Sequence, residues 1–131
     1  MHDPSLRFRP LWLTIGFALL ALIIYLSLTQ VPIQIDTGLD WQDKLFHMFA
    51  YLALMGWFMQ IYHATGSKLL LAVCFAAVGV AMEFIQAMTP ERYFEYADMV
   101  ANTLGVIVGY LLSLTPLRFT LQRFEQLFLN R

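Results

Sequence analysis

Apolar residues run along this chain in four long stretches with few polar interruptions. Leu11–Thr29 carries no charge, Leu45–Tyr62 is broken by His47, Leu69–Met88 carries Glu83 and Gln86, and Met99–Thr115 carries Asn102. As helices rising about 1.5 Å per residue, such stretches cross most or all of a hydrocarbon layer of roughly 30 Å. The pattern therefore predicts membrane helices over 11–29, 45–62, 69–88 and 99–115. Arg7 and Arg9 precede the first stretch as they would in a signal peptide. The stretch is longer than an ordinary signal core, however, and no small-x-small cleavage site follows before Pro32, so a retained helix is expected.

The connections are polar. Gln30–Lys44, with Pro32, Gly38 and three aspartates, reads as an exposed loop. His63–Lys68 reads as a tight hairpin with Gly66 and Ser67 as turn formers, and Thr89–Asp98 opens with Pro90 and is rich in Glu and Tyr. After Pro116, the residues Leu117, Leu121, Phe124 and Phe128 recur at i, i+4, i+7 and i+11, with Arg118, Arg123 and Glu125 off that stripe. This spacing predicts an amphipathic helix lying in the membrane interface over 117–131. The expected fold is all-α: one domain over 1–131, a four-transmembrane-helix bundle with a C-terminal interfacial helix.

Composition agrees with a lipid solvent. Apolar residues make up 60% of the chain and charged residues 13%, where an ordinary soluble domain has about 25% charged. A soluble domain this small has too much surface for its volume to hide that apolar content. A net charge of −1 without any Lys/Arg-rich run gives no footing for nucleic acid. The lone Cys74, inside an apolar run, excludes an intrachain disulfide and a cysteine-based metal site. It reads as a small buried or lipid-facing residue.

With four spans, both termini and the second loop share one side. That side holds Arg7, Arg9, Lys68, Arg118, Arg123 and Arg131, against Lys44 and Arg92 opposite. The excess of basic residues assigns both termini to the cytoplasm. The same parity sends His47, Glu83, Gln86 and Asn102 to the other, extracytoplasmic leaflet, where Asp43, Lys44, Arg92 and Asp98 also emerge. Asp43, His47 and Tyr51 fall on one helical face. Glu83 and Gln86 share a face with Gly79, and Asp98, Asn102, Gly105 and Gly109 share another. Small residues on a polar stripe let helices approach closely in lipid, so Gly79, Gly105 and Gly109 are expected at helix contacts.

A carboxylate facing lipid costs several kcal/mol, on the order of 3 on insertion scales, so Glu83 is expected to face partners or water. Three readings of the cluster stand side by side. It is a structural network holding helix ends, a pocket for a polar ligand, or a divalent-cation or catalytic site. For the last, Asp43, His47, Glu83 and Asp98 offer hard O and N ligands, although no metal motif such as H-E-x-x-H is present. No cofactor is expected otherwise. His63 in the turn and His2 at the terminus read as solvated. Trp12, Trp41, Tyr93 and Tyr96 read as interface anchors.

The segment Asp43-Lys-Leu-Phe-His47-Met-Phe-Ala-Tyr51, then Glu83-Phe-Ile-Gln86, Pro90-Glu-Arg92 and Asp98-Met-Val-Ala-Asn102-Thr-Leu-Gly105, in that order, resembles the VanZ-like family of small bacterial membrane proteins. The match marks Asp43, Lys44, His47, Tyr51, Glu83, Gln86, Arg92, Asp98, Asn102 and Gly105 as signature positions. It implies a protein of the bacterial inner membrane with an envelope role, since the family's namesake is associated with resistance to the glycopeptide teicoplanin.

The function expected from sequence is an envelope-associated binding or resistance factor rather than an enzyme. Its partners would be membrane lipid and either an anionic envelope component or a membrane protein, with Lys44 and Arg92 contacting anionic groups. A membrane-embedded enzyme acting on a lipid-linked precursor, and a purely structural or interaction protein, are the alternatives.

Overall fold

The computed structural model describes residues 6–29, 41–89 and 95–130, and every regular element among them is helical. In chain order these are α1 (Arg9–Leu28), α2 (Gln42–Phe58), α3 (Thr65–Ala87), α4 (Tyr96–Leu112), a 3₁₀ turn at Pro116–Phe119, and α5 (Thr120–Leu129). Two of them, α1 and α3, are long and apolar enough by themselves to cross a membrane. A third candidate is α4 taken together with Pro116–Leu129, a pair bent by 77°.

The helix ends differ from those the hydropathy pattern predicts, for local reasons. Helix α2 starts at Gln42 because Asp43 belongs to its first turn, where an acidic side chain suits the positive end of the helix dipole. It ends at Phe58 because the chain tightens: Gln60 N–H donates to Trp57 O and Ile61 N–H to Phe58 O. The next helix, α3, begins at Thr65 after Ala64 in extended conformation, four residues before the apolar run, so Lys68 lies inside it rather than in the turn. At the other end of the pattern, α4 is shifted towards the N-terminus and stops at Leu112. Its last carbonyls, from Gly109 to Leu112, accept from the Ser113, Leu114 and Thr115 N–H groups. Thr115 then caps the 3₁₀ turn, its hydroxyl accepting from Leu117 N–H, with Pro116 at the position that needs no donor.

Packing centres on α2 and α4, the most extensively contacting pair. The backbones touch: a Cβ added to Gly105 would lie 2.2 Å from Met48 O, and one on Gly109 would lie 2.7 Å from Met55 Cβ. Tyr51, Leu54, Met55 and Phe58 from α2, Val106 from α4, Phe75 from α3 and Ile23 from α1 form the main core. Around it the helices keep large apolar side chains exposed, among them Phe17, Tyr25, Leu70, Val73, Phe84 and Leu111. An apolar core wrapped in an exterior that is also largely apolar is the pattern of a protein solvated by lipid.

The C-terminal segment departs from the expected geometry. The face of α5 that docks on the bundle shares only Leu121 with the apolar stripe. Leu121 and Glu125 are buried there, while Leu117, Phe124 and Phe128 are exposed. Glu125 accepts from the backbone N–H groups of Arg7 at 2.7 Å and Phe8 at 2.8 Å, just ahead of α1, and from Trp12 Nε1 at 2.6 Å. A helix N-terminus has free N–H groups, and here a carboxylate from the far end of the chain supplies their acceptor.

Candidate functional site

Three helix ends meet at one end of the bundle. The first turn of α2 brings Asp43, Lys44 and His47, the last turn of α3 brings Glu83 and Gln86, and the first turns of α4 bring Asp98 and Asn102. Lys44 Nζ pairs with Glu95 Oε2, with Asp98 Oδ1 at 2.5 Å, and with Asp43 Oδ2 at 3.5 Å. Asp43 and Asp98 turn their remaining oxygens to the other side. Asp43 Oδ1 and Asp98 Oδ2 each lie 3.8 Å from His47 Nε2. The ring's Nδ1 lies 3.0 Å from Asn102 Oδ1 and donates to it. The Nε2 side of the ring thus lies near two carboxylate oxygens.

Asp43, His47 and Asp98 each present one ligand atom, all within 4.8 Å of one another. Among the described residues they are the group able to hold a divalent cation, with Asn102 orienting the histidine as outer partners of metal-bound imidazoles do. Lys44 competes for the same two carboxylates. Glu83 is not among the three ligand positions. Its Oε1 accepts from Glu95 N–H at 2.8 Å, at the start of α4, and so ties α3 to α4.

Beneath this layer the pairing is incomplete. Glu83 is 1% exposed, and its Oε2 has no hydrogen-bond partner. Tyr51, one helical turn below His47, is 2% exposed, and its hydroxyl has none either. Asn102 fits because α3 presents Gly79 opposite it: a Cβ there would lie 3.0 Å from Asn102 Cβ. Gln86 faces another neighbour, its Nε2 donating to Ser27 O near the end of α1 at 2.6 Å.

The structure thus brings together Asp43, Lys44, His47, Asp98 and Asn102 directly, with Glu83 attached through Glu95. Tyr51 lies beneath them, and Gln86 lies towards α1. Arg92, like Asp36, Asp40, Glu91 and Tyr93, lies outside the described residues. Glu95 is a full member of the network that loop composition alone did not single out.

A second polar group, at the opposite end, corrects the reading of the turn residues. His63 is not solvated. It is 6% exposed, its Nε2 donates to Arg118 O at 3.1 Å, and its ring meets Phe119 edge-on. Trp12 is buried and hydrogen-bonded rather than an interface anchor, whereas Trp41 and Tyr96 are exposed. Gln60 Oε1 accepts from Leu121 N–H, and Lys68 Nζ donates to Ser113 Oγ at 3.2 Å. The signal for this group was the charge of Lys68 and Glu125 beside apolar neighbours, which argues for burial as readily as for exposure.

An uncharacterized protein of Schizosaccharomyces pombe is 28% identical over 123 residues, spanning 91% of this chain and 70% of its own length. No solved structure matches the chain. The model of the VanZ/LLP1 family matches residues 11–119, which takes in nearly all of α1 and the whole of α2, α3, α4 and the 3₁₀ turn. With most of its length matched in this way, the chain belongs to the VanZ/LLP1 family.

Proposed function

We propose that this chain is a multi-pass protein of a bacterial cytoplasmic membrane. All four long helices cross the bilayer with both termini cytoplasmic, and the acidic cluster binds a polar envelope component at the outer face. The observation that carries the binding reading is the pair of buried oxygens, Glu83 Oε2 and Tyr51 Oη, without hydrogen bonds beside an otherwise paired network. A cluster serving only to tie helix ends would be expected to close such groups, because each unmade buried bond costs about 1–3 kcal/mol.

The four-span reading is supported by α2 and α4 themselves. Each has 17 residues, about 26 Å of helix, close to the roughly 27 Å core of a thin bilayer. Phe46 and Phe49 on α2, and Val100, Leu104 and Ile107 on α4, are exposed as lipid-facing residues would be. The distribution of basic residues supports the orientation.

The ligand's charge deserves a narrower reading than composition suggests. Among the described residues Lys44 is the cluster's single lysine or arginine, and Glu95, Asp98 and Asp43 already neutralise it. An anionic envelope component therefore needs Arg92 or a bridging cation, whereas a cationic group meets the carboxylates directly. Glu83→Gln and Arg92→Ala test the reading in cells producing the protein, scored by sensitivity to envelope-directed drugs. Changed sensitivity with helicity intact is expected. Unchanged sensitivity in both folded variants overturns it.

The spacing of Asp43 Oδ1, His47 Nε2 and Asp98 Oδ2 favours one second reading, a metal-assisted membrane enzyme acting on a lipid-linked envelope precursor. The purified protein would then bind Mn²⁺ or Zn²⁺ and turn over lipid-linked glycans. Neither metal binding nor turnover removes that reading.

A further inference from the structure

At the far end of the bundle, two cations form no ion pair with an acid among the described residues. Lys68, in the first turns of α3, is 3% exposed. Its ammonium donates to Ser113 Oγ and lies 5.4 Å from the centre of the Tyr110 ring. Ser113 is itself fully buried and gives its own hydrogen to Tyr110 O. Arg118, on the 3₁₀ turn, is near enough to interact electrostatically with Lys68. Its guanidinium lies over the Phe119 ring, and its Nε is buried without a hydrogen-bond partner. Among the described residues no aspartate or glutamate forms an ion pair with either side chain, and the one carboxylate buried at this end, Glu125, is committed to Arg7, Phe8 and Trp12.

The protein supplies only part of the missing negative charge. Ser113 caps the C-terminus of α4, and a helix C-terminus is worth roughly half an elementary negative charge. The buried Lys68 ammonium meets that half through Ser113. Burial of an unpaired cation such as Lys68 is among the costlier arrangements in a protein, and the buried Nε of Arg118 adds an unmade donor. An anion with several acceptor oxygens would satisfy the free Nε of Arg118 and the remaining hydrogens of Lys68 together.

The surroundings point to the source of that anion. Leu69, Leu70, Leu111, Leu114 and Leu117, on the elements that carry the two cations, are 50–65% exposed. They present an apolar surface next to the two cations, as an acyl chain beneath a headgroup requires. We propose that Lys68 and Arg118 form a binding site for a phosphate-type anion, filled in the membrane by the phosphodiester headgroup of an anionic lipid. This site lies at the opposite end from the acidic cluster, so it stands whether or not that cluster binds a ligand.

The full chain is tested in nanodiscs of mixed phosphatidylglycerol and phosphatidylcholine, exchanged into neutral detergent, with retained lipid quantified by mass spectrometry. The wild type is expected to retain phosphatidylglycerol in preference to phosphatidylcholine. Lys68→Met and Arg118→Gln should each lower that retention about tenfold, while Arg123→Gln, which removes an exposed cation from α5, should not. Arg118 is half-exposed on a turn, so its variant keeps the test alive if Lys68→Met fails to fold, and circular dichroism checks both. A second arm adds inorganic phosphate to lipid-free protein. A rise in melting temperature that Lys68→Met abolishes, without selective lipid retention, keeps the phosphate site and makes its source soluble. Equal retention of both lipids with no effect of phosphate overturns the proposal, as does undiminished retention in both folded variants.

Discussion

Glu125 Oε1 accepts the indole hydrogen of Trp12 at 2.6 Å, joining residues 113 apart in sequence. Through this bond the last helix of the chain fixes the start of the first. The same carboxylate accepts from Arg7 and Phe8, so three donors converge on one buried group. Trp12 in turn packs edge-on against Trp57 of α2 and Phe124 of α5, and its carbonyl accepts from Trp57 Nε1 at 2.9 Å. The entry of α1 is thereby locked to α2 and α5 at once.

Removing the acceptor should loosen this end. Hydrogen bonds to a charged group are worth about 1.5–3 kcal/mol each, and unmade buried donors add their own cost. Glu125→Ala is expected to destabilise the protein by about 3 kcal/mol and to expose α5 to proteolysis. SDS titration of the detergent-solubilised protein, followed by circular dichroism, measures the first effect, and limited trypsin digestion at Arg118 and Arg123 reads the second. Unchanged unfolding would mean that α5 contributes no anchorage.

The same carboxylate makes this end sensitive to acid. Burial opposes its charge, but the bonds from Trp12, Phe8 and Arg7 outweigh that and hold Glu125 below the ordinary glutamate value of 4.5. A depressed folded-state value stabilises the fold above the unfolded value, and the stabilisation disappears as pH falls through the folded one. Wild type should therefore keep its full margin over Glu125→Gln at neutral pH and lose it below about pH 4.5. Melting temperatures of the two proteins across that range provide the comparison. A margin independent of pH would remove the charge from the explanation.

The contrast between the two ends explains which features the sequence made legible. The order of the helices along the chain was enough to expect Asp43, Lys44, His47, Asp98 and Asn102 at one end, but not the pairs they form there, Lys44 with Asp98 and His47 with Asn102. Hydropathy also located α1 to within two residues at its start and one at its end, since nothing polar interrupts Leu11–Thr29. It failed at Lys68, because an apolar run marks where lipid contact begins, whereas the helix begins where Ala64 leaves the extended conformation. The burial of Glu125 was out of reach for a related reason. A stripe of apolar positions names the face that meets oil, but α5 docks on a helix start, and free N–H groups there call for a carboxylate. The unpaired oxygens of Glu83 and Tyr51 depend on side-chain geometry that no spacing encodes.

Close contact between α2 and α4 yields a test that compares glycines within one protein. A Cβ on Gly105 would collide with a backbone oxygen, Met48 O at 2.2 Å, which cannot move without shifting the helix. Overpacking of a core costs about 1–3 kcal/mol, and a rigid neighbour puts Gly105→Ala at the upper end. Gly56, in the interior of α2, has nothing within 4 Å of its would-be Cβ, so Gly56→Ala should instead stabilise by about 0.5–1 kcal/mol. Opposite shifts of the SDS unfolding midpoint are expected. Equal effects would show that the helices do not meet at Gly105.

Glu83 separates a structural role from a binding role most cleanly. Its Oε1 accepts from Glu95 N–H, and a glutamine can make the same bond while giving up the charge. If the residue only joins α3 to α4, Glu83→Gln should be neutral in stability and in every functional assay, and Glu83→Ala should cost about 1–3 kcal/mol by leaving a donor unmade. If Oε2 is kept for a ligand, Glu83→Gln should retain or raise the melting temperature, because a buried charge has been removed, and should still lose activity in envelope-drug assays. Function lost at preserved stability is the expected outcome, because the glutamine keeps what Oε1 does and abolishes what Oε2 offers.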